Sequence, residues 1–158
     1  MEKVKQFLEP NQEESELVSR FASPSRVAGV DSAFYYDFTL KGIRVDRAEP
    51  DLVVCTFKVP ARLTDRNGRL ASGAIATLVD LVSAAVVRRE GLPMNVSVDM
   101  SISFLSTANV NDELEITSRA VGQIGGYFGT SVLLKNKATG ELIAEGRHSM
   151  FRKHASKL

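Results

Sequence analysis

Three polar side chains at helical spacing interrupt a long apolar run, and one of them is a carboxylate. Residues 74–87 read AIATLVDLVSAAVV, in which only Thr77, Asp80 and Ser83 are polar. In a helix this spacing places the three side chains on one face. An ionised Asp among apolar residues costs free energy unless it is paired or used at a site. Asp80 is therefore a candidate catalytic residue, and the alternative is a buried, hydrogen-bonded Asp that orients the helix.

The start of the same predicted helix has the groups that bind an oxyanion. The helix begins at Ser72-Gly73, where the first backbone N–H groups have no intrahelical acceptor and the helix dipole is positive. Gly73 has no side chain, so a ligand oxygen can approach its N–H closely. Gly73 and Asp80 are seven residues apart, which separates them by about 10 Å along the axis. If both act on one reacting carbon, Asp80 must face the helix start of a second subunit. The pattern therefore indicates a dimer with shared active sites.

Other residues with reactive side chains have simpler structural interpretations. His148 is a lone His in a strand-like segment, where a structural role is more common than a catalytic one, and no neighbour in the sequence completes a triad. His154 lies in a polar tail and is expected to be solvated. Cys55 is the single cysteine, so the chain has no internal disulfide and no metal site is predicted. The glycine-rich residues 122–126 are interpreted as a turn, because no Lys-Ser/Thr follows as in a phosphate-binding loop.

The hydrophobic pattern predicts strands, one long apolar helix and then four more strands. The long helix is expected over residues 72–89, stopped by Gly91 and Pro93. A short amphipathic helix is expected over residues 12–22, and a first strand within the mixed segment 34–45. The other strands are expected at residues 52–59, 97–104, 113–121, 128–135 and 141–151. Short turns join the last strands, which indicates an antiparallel sheet. A single apolar helix on the concave face of that sheet gives an α+β fold.

The strand at residues 97–104 has the clearest alternation in the chain. Its apolar residues predict one buried face, and its polar residues predict one solvated face. The apolar positions are Val98, Met100, Ile102 and Phe104, and the polar ones are Ser97, Asp99, Ser101 and Ser103.

Composition argues for an ordinary globular domain and against several classes of partner. The chain has 158 residues and a formal net charge of +1, so its overall charge favours neither nucleic acid nor an anionic membrane surface. No apolar run is long enough for a membrane span. The N-terminus is acid-rich and has no long apolar segment, so it is interpreted as neither a secretory signal nor a transit peptide.

The last three residues match a targeting signal. The chain ends in Ser156, Lys157 and Leu158, and Ser-Lys-Leu at the carboxyl terminus is the address read by the peroxisomal import receptor. The sequence therefore predicts import into the peroxisome, with an accidental tail as the alternative.

The residues around Asp80 also resemble a known family. Residues 70–80, LASGAIATLVD, resemble the helix-opening motif of hotdog-fold thioesterases, particularly the small acyl-CoA thioesterases of the phenylacetate-degradation and thioesterase-superfamily-member-2 type. The likeness continues through VSVDMSISF at 96–104, NKATG at 136–140 and LIAEGRH at 142–148. Together with the terminal address, it suggests a plant-type peroxisomal member of this family.

The resemblance implies a fold and an activity. It implies a single hotdog domain over residues 1–158, in which an antiparallel sheet wraps one long apolar helix. An N-terminal helical extension is expected at about residues 1–24 and a targeting tail at about residues 152–158. Such domains are expected to form dimers by joining their sheets and to double to tetramers. The implied reaction is hydrolysis of acyl-CoA to free acid and coenzyme A, with no cofactor, because coenzyme A is part of the substrate.

Roles in that reaction carry over to matching positions. Asp80 matches the catalytic carboxylate, which acts as general base or as nucleophile, and the Gly73 N–H would polarise the thioester carbonyl. Ser97 matches a serine that places the water or the substrate. Asp65 falls where relatives have an Asn that contacts the region of the substrate carbonyl. The resemblance implies that the following residues contact the acyl or coenzyme A part: Ser72, Ser97, Phe104, Leu105, Ser106, Thr107, Ala108, Asn109, Gly122, Gln123, Ile124, Gly125, Gly126, Tyr127 and Phe151.

This chain departs from the family pattern just before Gly73. The His-Gly-Gly triplet of the relatives reads Ala71-Ser72-Gly73, and their loop Asn is Asp65. A carboxylate near the thioester oxygen would repel the developing oxyanion unless it were protonated or turned away. The alternatives are therefore an aryl-CoA thioesterase, with a substrate resembling 1,4-dihydroxy-2-naphthoyl-CoA, and a hotdog protein that binds acyl-CoA without hydrolysing it.

Overall fold

A long helix lies against the concave face of a six-stranded sheet. The structure is a computed structural model and describes residues 4–5, 8–20, 34–88, 91 and 95–152. By their internal contacts the residues fall into two compact units, Met1–Asp37 and Phe38–Leu158. The helices are α1 (Gln12–Arg20), α2 (Phe34–Leu40) and α3 (Ser72–Val86), with a 3-10 turn at Ala61–Leu63. The strands are β1 (Ile43–Glu49), β2 (Leu52–Lys58), β3 (Val96–Phe104), β4 (Glu113–Ile124), β5 (Tyr127–Asn136) and β6 (Leu142–Phe151).

All neighbouring strands of the sheet are antiparallel, in the order β1-β2-β4-β5-β6-β3. The strand β3 follows α3 in the chain, yet it pairs with β6, the last strand. Within the described residues β3 has no partner on its other side, so it is an edge strand of the single chain. The predicted α+β class and the antiparallel sheet are confirmed.

The helix α3 packs closely on the sheet because its apolar residues meet a glycine. Ile75, Leu78, Val79 and Val82 are buried in the core that α3 shares with the strands. A side chain at Gly146 on β6 would place its Cβ 2.6 Å from a methyl group of Val79. Glycine at this position therefore sets how near the middle of α3 comes to β6.

Three predicted boundaries differ from the structure. Residues 34–40, expected at the start of a first strand, form the helix α2; Gly42 follows with φ +97°, a backbone conformation that ends helices. The helix α3 ends at Val86 instead of at residue 89. The predicted turn at residues 122–126 is shorter, since β4 continues to Ile124 and the turn is made by Gly125 and Gly126.

The predicted burial of β3 is wrong for the single chain. Val98, Met100 and Phe104 are 57%, 41% and 52% exposed, and Ile102 is partly buried. The strand itself is present with the expected residues. Val98, Met100 and Phe104 do not belong to the core that α3 shares with the other strands, so nothing in the described part of the single chain covers them.

Parts of the predictions fall on segments that are only partly described. The amphipathic helix is present as α1, but Leu17 and Val18 on its apolar side are exposed, and residue 21 lies outside the described residues. The targeting residues 156–158 also lie outside them.

Cys55 is buried in the core, as expected, and burial raises the pKa of its thiol. Among the described helices, none has the length and apolar character that crossing a membrane requires.

Candidate active site

Asp80 and Ser97, predicted from separate segments, meet in the folded chain. Asp80 lies in the middle of α3, and 30% of its side chain is exposed. Ser97, the second residue of β3, donates a hydrogen bond from its hydroxyl to Asp80 Oδ1 over 3.3 Å. The carboxylate is therefore open to solvent on one side and held by a hydroxyl at the edge of the sheet.

A buried histidine lies behind the same carboxylate. His148 on β6 is 1% exposed, and its Nε2 is 3.6 Å from Asp80 Oδ1. Its other ring nitrogen, Nδ1, is 2.6 Å from the hydroxyl of Ser83, which is fully buried on α3. The 3.6 Å separation is longer than a hydrogen bond, so Nε2 is a buried polar atom with no hydrogen-bond partner among the described residues.

The histidine is held in its neutral form. Burial lowers the pKa of His148 below its ordinary value of 6.5, and the charges of Asp80 and Asp99 only partly oppose this. A neutral imidazole carries one proton. The Ser83 hydroxyl lies within hydrogen-bond distance of both Nδ1 and the backbone oxygen of Asp80 (2.8 Å), and its single proton can serve only one of them. Which ring nitrogen of His148 carries the proton therefore follows from which of the two acceptors Ser83 donates to.

This Ser–His–Asp arrangement runs in the opposite direction from that of a serine hydrolase. The serine is sealed in the core, whereas the aspartate is exposed. Ser83 therefore cannot reach a substrate as a nucleophile, and the group placed for chemistry is the Asp80 carboxylate. With His148 behind it and Ser97 beside it, Asp80 has the surroundings of a general base that acts on water.

These neighbours of His148 were not predicted from the sequence. The interpretation that nothing near it completes a triad is wrong, because the fold brings β6 against the middle of α3. A signal was present in the alternation of β6, where Ala144, Gly146, His148 and Met150 are buried in turn. That period places His148 on the face that meets α3.

The third polar residue of the helix has a local partner. The Thr77 hydroxyl donates to the backbone oxygen of Gly73, one turn earlier, over 2.9 Å. It is therefore tied to its own helix, and the predicted polar face of α3 is divided between a local bond at Thr77 and the site at Asp80 and Ser83.

The first turn of α3 is open in the single chain. Ala71 is the N-cap and provides no side-chain hydrogen bond, and the first intrahelical bond is from the Ile75 N–H to the Ala71 oxygen. The N–H groups of residues 72–74 thus have no acceptor within the helix. A Cβ at Gly73 would meet no atom within 4 Å. This turn can accept an anionic oxygen from outside the chain.

Asp65 faces its own loop. Its Oδ1 accepts hydrogen bonds from the backbone N–H groups of Asn67 (2.8 Å) and Arg69 (3.0 Å), and its Oδ2 pairs with the Arg69 side chain at 3.3 Å. The hydrogen bond from the Arg69 backbone is the main cause that lowers the pKa of this carboxyl. These bonds tie the Asp65 carboxylate to its own loop, and its contact with a substrate carbonyl stays a prediction. The carboxylate orders the loop that leads to α3.

The two segments predicted to hold coenzyme A are far apart within one chain. Phe104 pairs with Ala144 at one end of β6, whereas Phe151 pairs with Tyr127 at the other end. Ala144 and Phe151 are seven residues apart, or about 23 Å along a strand. A single copy therefore does not bring residues 104–109 and residues 122–127 to one edge.

A cavity lies beside the second of these segments. It has a volume of about 240 Å³ and lies near the end of α3, at a register shift of β4 between Ala120 and Gly122. Its lining residues do not include Asp80 or Ser97. They are Asp51, Val87, Ala120, Val121, Gly122, Gln123 and Phe128.

The sequence matches proteins of known class over most of its length. A family model described as the thioesterase superfamily matches residues 67–143. Acyl-coenzyme A thioesterase 13 of Mus musculus is 39% identical over 116 residues, which cover 72% of this chain and 82% of that protein. The Homo sapiens protein of the same name is 38% identical over 125 residues, covering 78% of this chain and 89% of that protein.

Solved structures agree with the sequence comparison. Zebra fish thioesterase superfamily member 2 superposes with a TM-score of 0.72 at 34% identity, covering 87% of this chain and 94% of that one. A hypothetical thioesterase protein from Streptococcus pneumoniae, solved with coenzyme A, has a TM-score of 0.67 at 26% identity, covering 72% of this chain and 90% of that one. This chain therefore belongs to the thioesterase superfamily and is a thioester hydrolase with the hotdog fold.

Proposed function

We propose that the protein hydrolyses acyl-CoA thioesters to free acids and coenzyme A, without a cofactor. The observation that carries the proposal is the Asp80 carboxylate, which is partly exposed, accepts a hydrogen bond from Ser97 and lies 3.6 Å from Nε2 of the buried His148. The curated names of the mouse and human relatives are acyl-coenzyme A thioesterases, and the Streptococcus structure contains coenzyme A.

In the proposed reaction Asp80 acts as general base. A water molecule beside Asp80 and Ser97 gives a proton to the carboxylate while its oxygen attacks the thioester carbon. The carbonyl oxygen becomes an oxyanion, stabilised by N–H groups at the start of a helix. The carbon–sulfur bond then breaks, and the thiolate of coenzyme A leaves and takes up a proton. The alternative, in which Asp80 itself attacks the carbon, gives a mixed anhydride that water then opens.

The oxyanion site belongs to a second subunit. Gly73 and Asp80 are seven residues apart, or about 10 Å along α3, too far to act on one carbon. The exposed apolar residues of the edge strand β3 supply a surface on which two copies join their sheets. In such a dimer, each Asp80 faces the other subunit's Gly73, and the two segments that are separated in one chain can meet across the boundary. A tetramer built from two such dimers is part of the proposal.

Replacing Asp80 by Asn tests the activity. This change keeps the shape of the side chain and removes the base, so the rate of coenzyme A release should fall by about 10²–10⁴-fold. Ser97→Ala should slow release less. Ser101→Ala is the matched control, since Ser101 lies on the same strand and pairs with the exposed Arg147. A D80N protein that releases coenzyme A as fast as the parent would contradict the mechanism.

The departures at Ala71 and Asp65 favour testing a second function, binding without hydrolysis. A parent protein that binds acyl-CoA in calorimetry but never releases coenzyme A would establish that function instead. A panel of fatty acyl and aryl thioesters, including one resembling 1,4-dihydroxy-2-naphthoyl-CoA, distinguishes the two substrate classes.

We also propose that the protein is imported into peroxisomes through Ser156, Lys157 and Leu158. Deleting Leu158 from a fusion with an N-terminal fluorescent protein should leave the fusion in the cytosol. Continued peroxisomal import of the truncated fusion would contradict this localisation.

A further inference from the structure

A buried arginine links the end of α3 to the start of β3. Arg152 follows β6 and is 6% exposed. Its Nη2 donates to the backbone oxygen of Val87 over 2.8 Å, and its Nε donates to the side-chain oxygen of Asn95 over 2.9 Å. The guanidinium also lies over the ring of Phe128, 4.8 Å from the ring centre. One planar side chain therefore contacts three elements, as its fork of donors allows.

Each contact of Arg152 satisfies a group that would otherwise be unpaired or loosely held. Val87 is the C-cap of α3, where helix carbonyls lack intrahelical donors and the dipole is negative. The backbone N–H of Arg152 is itself fixed by the Gly126 oxygen at 2.8 Å. No carboxylate pairs with Arg152 in the part of the chain that the structure describes. The positive charge is thus directed at the helix end and at Asn95.

The elements joined by Arg152 are those that carry the catalytic pair. Asp80 lies on α3, two turns before Val87, and Ser97 is two residues after Asn95. The ladder between β3 and β6 begins at Val96 and Ser97, and its register shifts directly after Ser97. An edge strand has one neighbour only, so the position of Ser97 depends on what holds the residues before it.

We propose that Arg152 is a positioning residue for the hydrolysis. It anchors Asn95 to the end of α3 and so places the Ser97 hydroxyl against the Asp80 carboxylate. This inference rests on the proposed function and concerns how the Ser97–Asp80 contact, 3.3 Å long in the single chain, is held in register. A small displacement of such a pair is enough to lower a rate, because catalysis requires near-attack geometry.

The sharpest variant is Asn95→Ala, which removes only the link to β3. The cap on Val87 and the contact with Phe128 remain. We expect kcat to fall about 3–10-fold with KM changed less than about twofold, because positioning affects the reacting atoms more than binding. Asn95→Asp keeps an oxygen acceptor for Arg152 and should restore most of the rate. Ile116→Val shortens a core residue on β4 and is the control for a loss of stability without loss of kcat.

A double-mutant cycle separates positioning from a purely structural cap. In a Ser97→Ala background, Asn95→Ala should change kcat by less than about twofold, since its target is gone. An Asn95→Ala protein with the kcat of the parent, or one that loses the same factor with and without Ser97, would overturn the proposal.

Hydrogen exchange keeps the test independent of the substrate. Asn95→Ala should speed amide exchange at residues 96–98 and leave the middle of α3 unchanged. A parent that hydrolyses no acyl-CoA would contradict the proposed function. The anchoring would then stand if exchange rises at residues 96–98 only, and would fall if exchange there is unaltered.

Discussion

The middle and the first turn of α3 differ in how many side chains of the same chain contact their polar groups. In the middle, Asp80 has Ser97 on one side and His148 on the other, with Ser83 behind the histidine. At the first turn, Gly73 has no side chain near it, and the N-cap supplies no hydrogen bond. One copy thus assembles the base and leaves the oxyanion site open. The difference supports the proposal that the helix start of a second copy completes the site.

Mixing two inactive variants tests this sharing most directly. Asp80→Asn removes the base, and Gly73→Pro removes one N–H at a position in the first helical turn, where proline is tolerated. A heterodimer of the two variants has one site with both lesions and one intact site. Randomly mixed subunits should therefore recover about one quarter of the parent rate, since about half of the dimers are mixed and each has one working site.

The outcome distinguishes shared from separate sites. If each chain used its own Gly73 with its own Asp80, both sites of the heterodimer would be damaged and mixing would restore nothing. Size-exclusion chromatography of the mixture, after subunit exchange, checks that dimers have formed.

The N–H at the helix start has its own expected contribution. Gly73→Pro alone should lower kcat by about 10²–10³-fold, the usual loss when one oxyanion donor is removed. Gly73→Ala keeps the N–H, and the single chain has room for its Cβ, so it is the matched control. Equal rates for the two variants would show that this N–H does not bind the oxyanion.

His148 should affect the rate less than either group that contacts the substrate. His148→Gln removes the ring that faces Asp80, and Ser83→Ala removes the hydroxyl that contacts Nδ1 of that ring. Each should lower kcat by about tenfold, the equivalent of about 1.4 kcal/mol, in the range of a hydrogen bond to a charged group. Steady-state kinetics with both variants and the double variant measure this. Losses that multiply in the double variant would argue against a single chain of contacts.

The same histidine makes stability depend on pH. Because burial lowers the pKa of His148 below 6.5, the unfolded chain takes up a proton at a higher pH than the folded chain does. Its contribution to stability is therefore present above about pH 6.5 and is lost as the pH falls below that value. Urea unfolding between pH 7.5 and pH 5 should show a steeper loss in the parent than in His148→Gln. If the free energy of unfolding falls with pH equally in the parent and in His148→Gln, the group that titrates is not His148.

The features of the fold that were predicted correctly are those with local signals. The strands and the apolar helix were predicted from the spacing of apolar residues and from the turn residues between them. Asp80 was predicted as a candidate because it is a charged residue among apolar neighbours. The partners of His148 were missed because they lie 65 and 68 residues away in the sequence and meet only through the packing of β6 on α3. The exposure of β3 could not be predicted from alternation, since a period shows which residues share a face but not what covers it.

Asp65 gives the smallest expected effect and tests whether the loop before α3 takes part in the reaction. Asp65→Asn keeps an oxygen for the N–H groups of Asn67 and Arg69 and loses the charge that pairs with the Arg69 side chain. Because the carboxylate is bound to the N–H groups of its own loop, kcat should stay within about twofold of the parent, and loss of the exposed ion pair should change stability little.

The pH dependence gives the Asp65 prediction a second readout. The lowered pKa of this carboxyl means that its contribution to stability is present above its ordinary pKa and is lost as the pH falls below it. Thermal melts between pH 6 and pH 3 should fall slightly less for Asp65→Asn than for the parent. A rise of about tenfold or more in kcat for the same variant would contradict the assignment, because it would mean that the carboxylate faces the oxyanion and repels it. In that case the loop before α3, through the Asp65 charge, would itself weaken oxyanion binding at the first turn of α3.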